Sequence, residues 1–178
     1  RALRTNRTGL IGLLSEEVAT TPHAGRIILG AQDAARDHDL TLVIVNAERG
    51  SDDDTHEADV RTLIDRQVEA VLYATMYHRE VHVPAVLRSV PAVLIDSADR
   101  EGMLPSVVPD EVGGAVAAVT HLVEAGHTRI GFLNNDDEVP ATHERLVGFR
   151  RVLTEHGIPI DESLIVQAVR YDGLEMPP

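Results

Sequence analysis

Polar side chains follow five predicted strands at the points where those strands end. The strands close at Leu14, Val45, Tyr73, Ile95 and Leu133, and a polar loop follows each one. In an open parallel sheet, ligands bind beyond the carboxyl ends of the strands. These loops hold polar residues that can hydrogen-bond a ligand, among them Thr20, His23, Arg49, Thr75, Asp96 and Asn134, and Arg145 lies in the helix after the last loop.

Hydrogen bonding to a polar ligand is the chemistry that these side chains can offer. The planar fork of Arg49 suits the oxygens of a polyol or a carboxylate, and His23 can hydrogen-bond a ligand from its loop. Each residue also has a plainer interpretation. Arg49 can form a surface ion pair with Glu48 or Asp52, and His23 can face solvent before a helix. Asp96, placed at the end of a strand, can simply cap the next turn.

Metal binding and catalysis are only weakly indicated. His78 and His82 stand four residues apart, but no HExxH motif is present and Pro84 disfavours a helix there. The acidic stretch 52–59, which includes His56, lacks the glycine and spacing of a calcium loop and is predicted to be a solvated face. No serine stands in a Gly-x-Ser-x-Gly elbow, and the chain has no Cys. We therefore predict no metal, no cofactor and no enzymatic activity.

Charge is distributed unevenly along the chain. The formal net charge is −13 over 178 residues, and every basic residue is Arg. Residues 1–8 carry three arginines and no acid, so removing these three positive charges from −13 leaves −16 for the rest. Phosphate backbones would repel such a body, so contact with DNA requires another segment. Because no apolar run could cross a bilayer and no signal peptide opens the chain, we expect a cytoplasmic protein that does not bind membranes.

Strand and helix patterns alternate along the sequence. Short apolar runs predict strands over 9–14, 40–45, 70–73, 92–95, 106–108, 129–133 and 164–166. Three- and four-residue spacing predicts helices over 24–38, from 51–54 to about 66, and over 83–88, 111–125 and 141–156. Apolar strands that alternate with helices indicate an α/β fold with a doubly wound parallel sheet. Aromatic residues make up only 3% of the chain, which predicts an aliphatic core.

The stretch 111–133 encodes a complete helix, a stop and a buried strand. Asp110 is placed to cap the helix, because its carboxylate can accept a backbone N–H. Gly126 follows the last turn, where a helix needs a left-handed residue to end. The predicted apolar face recurs at three- and four-residue intervals, at Val112, Val116, Val119, Leu122 and Val123.

This stretch resembles the LacI/GalR family of bacterial transcription repressors. That family shows Val-x-x-Asp-Asn-x-x-Gly-Ala, then His-Leu-Ile-x-x-Gly-His-x-x-Ile, then Arg-x-x-Gly-Phe; Glu111 stands here where Asn is commoner. Upstream, 8–12 and 91–96 match two more signatures in the right order, so the resemblance covers nearly the whole chain. The other matching positions are Val107, Asp110, Gly114, Ala115, 121–123, 126–130, Arg145, Gly148 and Phe149.

The resemblance implies an architecture and a function. The fold would be two doubly wound parallel-sheet subdomains of the periplasmic-binding-protein-like type, the second incomplete in this chain. Residues 1–8 would be the remnant of a linker to a DNA-binding head, 9–108 the N-terminal effector-binding subdomain, and 109–178 part of the C-terminal one. A homodimer would bind operator DNA through an N-terminal helix-turn-helix outside this sequence, and a small sugar-like effector would bind between the subdomains. A sugar-binding protein of a transport system shares the fold and stays open as an alternative.

Residue roles follow from the same resemblance. Residues 20–23 stand where many members have Asn-Pro-Phe-Phe, so an aromatic contact to the ligand is lost there. Arg49 and Asp96 match ligand-contacting positions, and Arg145 is expected to reach back to the ligand. The alternative for Arg145 is a helix-surface arginine paired with an acid at 137–138.

Overall fold

The structure, a computed structural model, describes residues 7–16, 19, 25–47, 53–134 and 139–168. The chain divides into two compact units, 1–108 and 109–178, which we call unit 1 and unit 2. Each unit has its own hydrophobic core.

Unit 1 is built on a five-stranded, fully parallel sheet in the order β2-β1-β3-β4-β5. The prediction of a parallel α/β sheet is therefore confirmed. A 3-10 helix over Ala85–Ser89 precedes the fourth strand. The helices and strands are β1 (Leu10–Glu16), α1 (Gly25–Asp37), β2 (Thr41–Ala47), α2 (Asp53–Asp65), β3 (Ala70–Val81), β4 (Ala92–Asp99) and β5 (Ser106–Val107).

Both faces of this sheet are covered. Successive side chains of a strand point to opposite faces, so Leu13 packs with Ile28 of α1, and Leu14 belongs to the core that contains Leu63 of α2. Leu13, Leu14 and Leu63 are fully buried. Burial on both faces explains why the strands read as continuous apolar runs instead of alternating with polar residues.

Helix α2 presents a different face from the predicted one. The sequence predicts an inward face of Ala58, Leu63 and Ile64 on this helix, but Ala58 is exposed. The buried side chains are instead His56, Val60 and Leu63, which follow the same four- and three-residue spacing. The prediction that His56 lies on a solvated face is therefore wrong. His56 lies one helical turn before Val60, on the side of α2 that meets the sheet.

Unit 2 consists of two helices against a two-stranded parallel sheet. Its apolar core includes Val119 of α3, Phe149 of α4 and Phe132 of β6. A short 3-10 helix, Glu162–Leu164, precedes the last strand. The helices and strands are α3 (Glu111–Glu124), β6 (Phe132–Asn134), α4 (Pro140–Glu155) and β7 (Ile165–Gln167).

Both ends of α3 follow the predicted chemistry. The Asp110 carboxylate accepts a 2.7 Å hydrogen bond from the Gly113 backbone N–H, and Gly126 adopts φ +89°. One residue of the predicted apolar face departs from expectation, since Leu122 is 38% exposed. The next strand also begins later than predicted, at Phe132.

Gly148 allows α4 to cross α3 at close range. A Cβ atom built at this position would lie 2.6 Å from the Val112 carbonyl oxygen and 2.7 Å from the Ala115 Cβ. Both neighbours belong to α3, and a backbone atom cannot move aside as a flexible side chain could. The glycine of the Arg-x-x-Gly-Phe motif is therefore explained by helix packing.

Replacing Gly148 with Ala should destabilise unit 2 by about 1–3 kcal/mol, because the new methyl overpacks the helix contact. Gly114→Ala is the matched control: Gly114 also lies inside a helix, and an added Cβ meets nothing within 4 Å. We expect the control to stabilise by roughly 0.5–1 kcal/mol. Urea denaturation of both variants measures the difference, and equal stability of the two would contradict the packing role of Gly148.

Candidate functional site

The carboxyl edge of the five-stranded sheet gathers polar groups from neighbouring strands. Because all strands run in the same direction, β1 ends there in Ser15 and Glu16, and β2 ends near Asn46. Ser15 and Glu16 are 0% and 5% exposed. Buried polar groups need partners, so the bonds that they make define the local structure.

A small hydrogen-bond network joins the ends of β1 and β2. The Ser15 hydroxyl donates to Asn46 Oδ1 at 2.9 Å. The Ala19 backbone N–H donates to Ser15 Oγ at 2.9 Å and also approaches Asn46 Oδ1 at 3.3 Å. These bonds fix the backbone at Ala19 over the ends of both strands.

A wide bulge interrupts the pairing of β3 with β4 at the same edge. Ala74 pairs with Ile95 and Arg79 with Ser97, so the four residues 75–78 lie opposite Asp96 alone. Both strands then continue, which is why they run past their predicted ends at 73 and 95. Bulges re-aim side chains and are common beside functional sites.

Thr75 and Asp96 hold this bulge together. Thr75 Oγ1 lies 2.7 Å from the Asp96 carbonyl oxygen and 3.0 Å from the Tyr77 carbonyl oxygen, so the two carbonyls share its hydroxyl proton. Asp96 adopts φ +56°, a left-handed conformation that is uncommon for a residue with a side chain. Strained backbone of this kind concentrates at ligand sites, where the surrounding structure imposes it.

An ion pair between Glu16 and Arg79 lies beside the bulge at the carboxyl edge of the sheet. Arg79 Nη2 donates to the Glu16 carboxylate, and the Arg79 guanidinium lies 5.9 Å from the centre of the Tyr77 ring. The Glu16 side chain is 7% exposed and that of Arg79 is 32% exposed. These three residues were not among the candidates predicted from sequence, and Tyr77 and Arg79 lie on the part of β3 beyond its predicted end at Tyr73.

Two of the predicted unit 1 candidates, Thr75 and Asp96, lie at the bulge. Thr75 is 1% exposed and its hydroxyl is bonded to backbone, whereas Asp96 is half-buried. The structure brings these two residues together. Thr20, His23 and Arg49 lie outside the described residues.

In unit 2, the two predicted residues make intramolecular bonds. Asn134 Nδ2 donates to the Thr142 carbonyl oxygen at 2.9 Å. Arg145 donates through Nε and Nη2 to the two carboxylate oxygens of Glu111, at 2.5 and 2.9 Å. The sequence suggested an acid at 137–138 as the alternative partner of Arg145, and those positions lie outside the described residues. Glu111 is the residue that replaces the commoner Asn of the family motif.

An apolar groove of about 450 Å³ lies beside this ion pair in unit 2. It runs between α3 and α4, and Glu111 and Arg145 are the charged residues in its lining. A ligand rich in hydroxyls would find few partners here, since its lost bonds to water must be replaced. The groove therefore fits an apolar occupant better than a sugar. Its other lining residues include Ala115, Leu122, Ile130 and Phe132.

His56 forms a buried contact on the α2 face of the sheet. Its Nδ1 lies 3.2 Å from the Tyr73 hydroxyl, and the two rings meet edge to face at 6.1 Å. Its Nε2 atom is buried without a hydrogen-bond partner in the described part of the chain. The contact joins α2 to β3 beneath the bulge.

Asp99, at the end of β4, organises the turn that leads to β5. Slight burial raises the pKa of its carboxyl, but hydrogen bonds from the backbone N–H groups of Glu101, Met103 and Leu104, with the Arg88 guanidinium, outweigh this and lower the pKa. A lowered pKa means that the carboxylate stabilises the fold above its unfolded-state pKa. This contribution is lost as the pH falls through the folded-state pKa.

Within the described ranges, no group of three or more His, Cys, Asp or Glu side chains could hold a metal ion. No helix in those ranges is long and apolar enough to span a membrane.

The fold and the polar carboxyl edge define a domain of the periplasmic-binding-protein-like class. A family model described as periplasmic binding proteins and sugar binding domain of the LacI family matches residues 8–169. The chain belongs to this family.

Similar proteins include regulators of transcription. Catabolite control protein A of Priestia megaterium is 29% identical over 98% of this chain and 53% of its own length. The HTH-type transcriptional regulator IpsA of Corynebacterium glutamicum is 32% identical over 82% of this chain and 43% of its own. A solved LacI-family regulator from Rhizobium etli superposes with a TM-score of 0.78 at 30% identity, over 90% of this chain and 57% of that one.

This chain spans about half the length of the curated relatives it matches. Several of those relatives are named HTH-type transcriptional regulators, in agreement with the prediction that the chain is not an enzyme. The alternative of a sugar-binding transport protein is not favoured, because several relatives are named HTH-type transcriptional regulators.

Replacing Thr75 with Val should destabilise unit 1 by about 1–3 kcal/mol, because two carbonyl oxygens at the bulge lose their hydroxyl donor while the side-chain shape is kept. Thr62→Val is the matched control, since the Thr62 hydroxyl donates to the Ala58 carbonyl oxygen on an exposed helix surface. The control should change stability by less than about 0.5 kcal/mol. Thermal unfolding compares the two, and equal effects would contradict the role of Thr75 at the bulge.

Proposed function

We propose that this chain is the effector-sensing core of a bacterial transcriptional regulator, and that it binds a small, polar, hydroxyl-rich ligand such as a sugar. The observation that carries the proposal is the convergence of bonded polar groups and a left-handed Asp96 at the carboxyl edge of the unit 1 sheet. Membership of a family described by its sugar binding domain supports the same ligand class.

Asp96 is the proposed acceptor for ligand hydroxyls in unit 1. Its backbone is fixed by Thr75 on one side and by continued β3–β4 pairing on the other, so its position is set before the ligand arrives. Preorganisation lowers the entropic cost of binding. Thr75, whose hydroxyl is buried, would act by positioning Asp96. The remaining proposed contacts are Thr20, His23, Arg49, Asn134 and Arg145.

Regulation would require a homodimer and a DNA-binding segment. The chain after residue 8 has a formal charge of −16, which opposes contact with phosphate. Several relatives are named HTH-type regulators, which supports a helix-turn-helix elsewhere in the protein as the part that binds operator DNA in the cytoplasm. The effector would act by binding one conformation of the core more tightly than another.

A thermal-shift screen of sugars, polyols and nucleosides on the whole protein tests the ligand class. A ligand at a hundredfold excess over its Kd adds about 2.7 kcal/mol to the stability of the native state. We expect sugars or polyols to raise the Tm and nucleosides to leave it unchanged. A response to nucleosides alone would contradict the proposed class.

Replacing Arg145 with Met should weaken binding of the sugar found in that screen by about tenfold, through the loss of charge-assisted hydrogen bonds. Arg150→Met is the matched control, because Arg150 lies on the same helix and pairs with Glu162 at 2.7 Å. Isothermal calorimetry measures both affinities.

The double variant Glu111→Gln/Arg145→Met separates binding from folding. Because Gln replaces Glu111, no unpaired carboxylate remains when Arg145 is removed. The double variant should therefore fold and should still bind the sugar only weakly. Affinity equal to that of the parent protein would remove Arg145 from the proposed site.

A further inference from the structure

We propose that Tyr77 and Arg79, presented by the β3 bulge, recognise the ring of a neutral pyranose, with Glu16 holding Arg79 in position. The proposal rests on the proposed function and makes it more specific, because it names a ring-stacking residue and a preference for uncharged sugars. None of these three residues was a candidate from the sequence.

Tyr77 places an exposed aromatic ring at the bulge. The chain has only three Tyr and two Phe. Phe132 and Phe149 pack against each other in the unit 2 core with centroids 4.9 Å apart, and Tyr73 is 2% exposed. Within the described ranges Tyr77 is thus the one aromatic side chain that is exposed, at 39%. A solvated ring costs hydrophobic free energy unless a ligand covers it.

The bulge interrupts the regular pairing of β3 with β4. If β3 paired regularly with β4, residues 75–78 would continue the alternation of the sheet. Instead, these four residues lie opposite one, and the hydroxyl of Thr75 fixes their backbone. The Tyr77 ring and the Arg79 guanidinium lie 5.9 Å apart, and Arg79 contacts Glu16 at the end of β1.

The Arg79 guanidinium has more N–H donors than its bond to Glu16 uses. Arg79 bonds Glu16 through Nη2, and a guanidinium carries five N–H donors in a fixed fork. Its side chain is 32% exposed, so donors remain accessible to ligand hydroxyls. A pyranose offers both an apolar C–H face for the Tyr77 ring and equatorial hydroxyls at its rim for the guanidinium.

The opposite charges of Glu16 and Arg79 bear on the kind of ligand that can bind beside them. The Glu16 side chain is only 7% exposed, and its carboxylate neutralises Arg79 at contact distance. An anionic ligand such as a sugar phosphate would gain little from a neutralised arginine and would be repelled by the carboxylate. The pair therefore favours neutral sugars over phosphorylated ones.

Paired ligands and variants test this in the whole protein. The probes are D-glucose, D-galactose and D-xylose, each with its acyclic alditol, and D-glucose 6-phosphate. The variants are Tyr77→Leu, which keeps bulk without a π face, and Tyr77→Phe, which keeps the ring. For the sugar that binds best, Tyr77→Leu should weaken binding about tenfold, whereas Tyr77→Phe should stay within about twofold. Affinity for the matching alditol should be unchanged in both.

The charged pair has its own test. The double variant Glu16→Gln/Arg79→Gln leaves no unpaired buried charge, so it should fold, and it should weaken sugar binding by about tenfold. D-Glucose 6-phosphate should bind the parent protein at least about tenfold more weakly than D-glucose, if glucose is the sugar bound.

The outcomes separate this inference from the proposed function. If a sugar binds but Tyr77→Leu leaves its affinity unchanged, or weakens sugar and alditol equally, the recognition element is wrong and the effector function stands. If no sugar or polyol binds the parent protein, both proposals are overturned. Tighter binding of the phosphorylated sugar would overturn the charge argument.

Discussion

The hydrogen bond from the Thr75 hydroxyl to the Asp96 carbonyl oxygen is the contact on which the candidate site depends. It holds four residues of β3 opposite one residue of β4, and it allows the two strands to resume pairing at Arg79. Without this bond, the Asp96 and Tyr77 carbonyl oxygens would lose the hydroxyl donor that Thr75 supplies. The left-handed Asp96, the exposed Tyr77 ring and Arg79 all lie at or next to this irregularity.

Local patterns were sufficient to predict most of the fold. Strands buried on both faces and helices with apolar stripes indicated the parallel sheet, and Asp110 and Gly126 indicated both ends of α3. Cap and stop residues act on backbone groups within one turn, so their effect can be inferred from neighbouring letters. The family motif around Gly148 was also visible, but its reason was not, since that reason is a contact with another helix.

The candidate site was only partly predictable, because its contacts join residues far apart in sequence. Glu16 and Arg79 are 63 positions apart, and Glu111 and Arg145 are 34 apart. A bulge changes which residues face each other, and no periodicity within β3 reveals it. His56 was misjudged for a related reason: acidic neighbours suggested a solvated face, whereas the helix turns this one residue toward Tyr73.

The central claim is that the carboxyl edge of the unit 1 sheet receives the effector, and hydrogen exchange tests it most directly. Exchange of backbone amides in the whole protein would be followed with and without the pyranose that raises the Tm most. The account predicts slower exchange at 75–79 and at Asp96–Ser97 when the sugar is bound, with little change at the far ends of the same strands. Unchanged exchange at the bulge, with protection elsewhere, would contradict it.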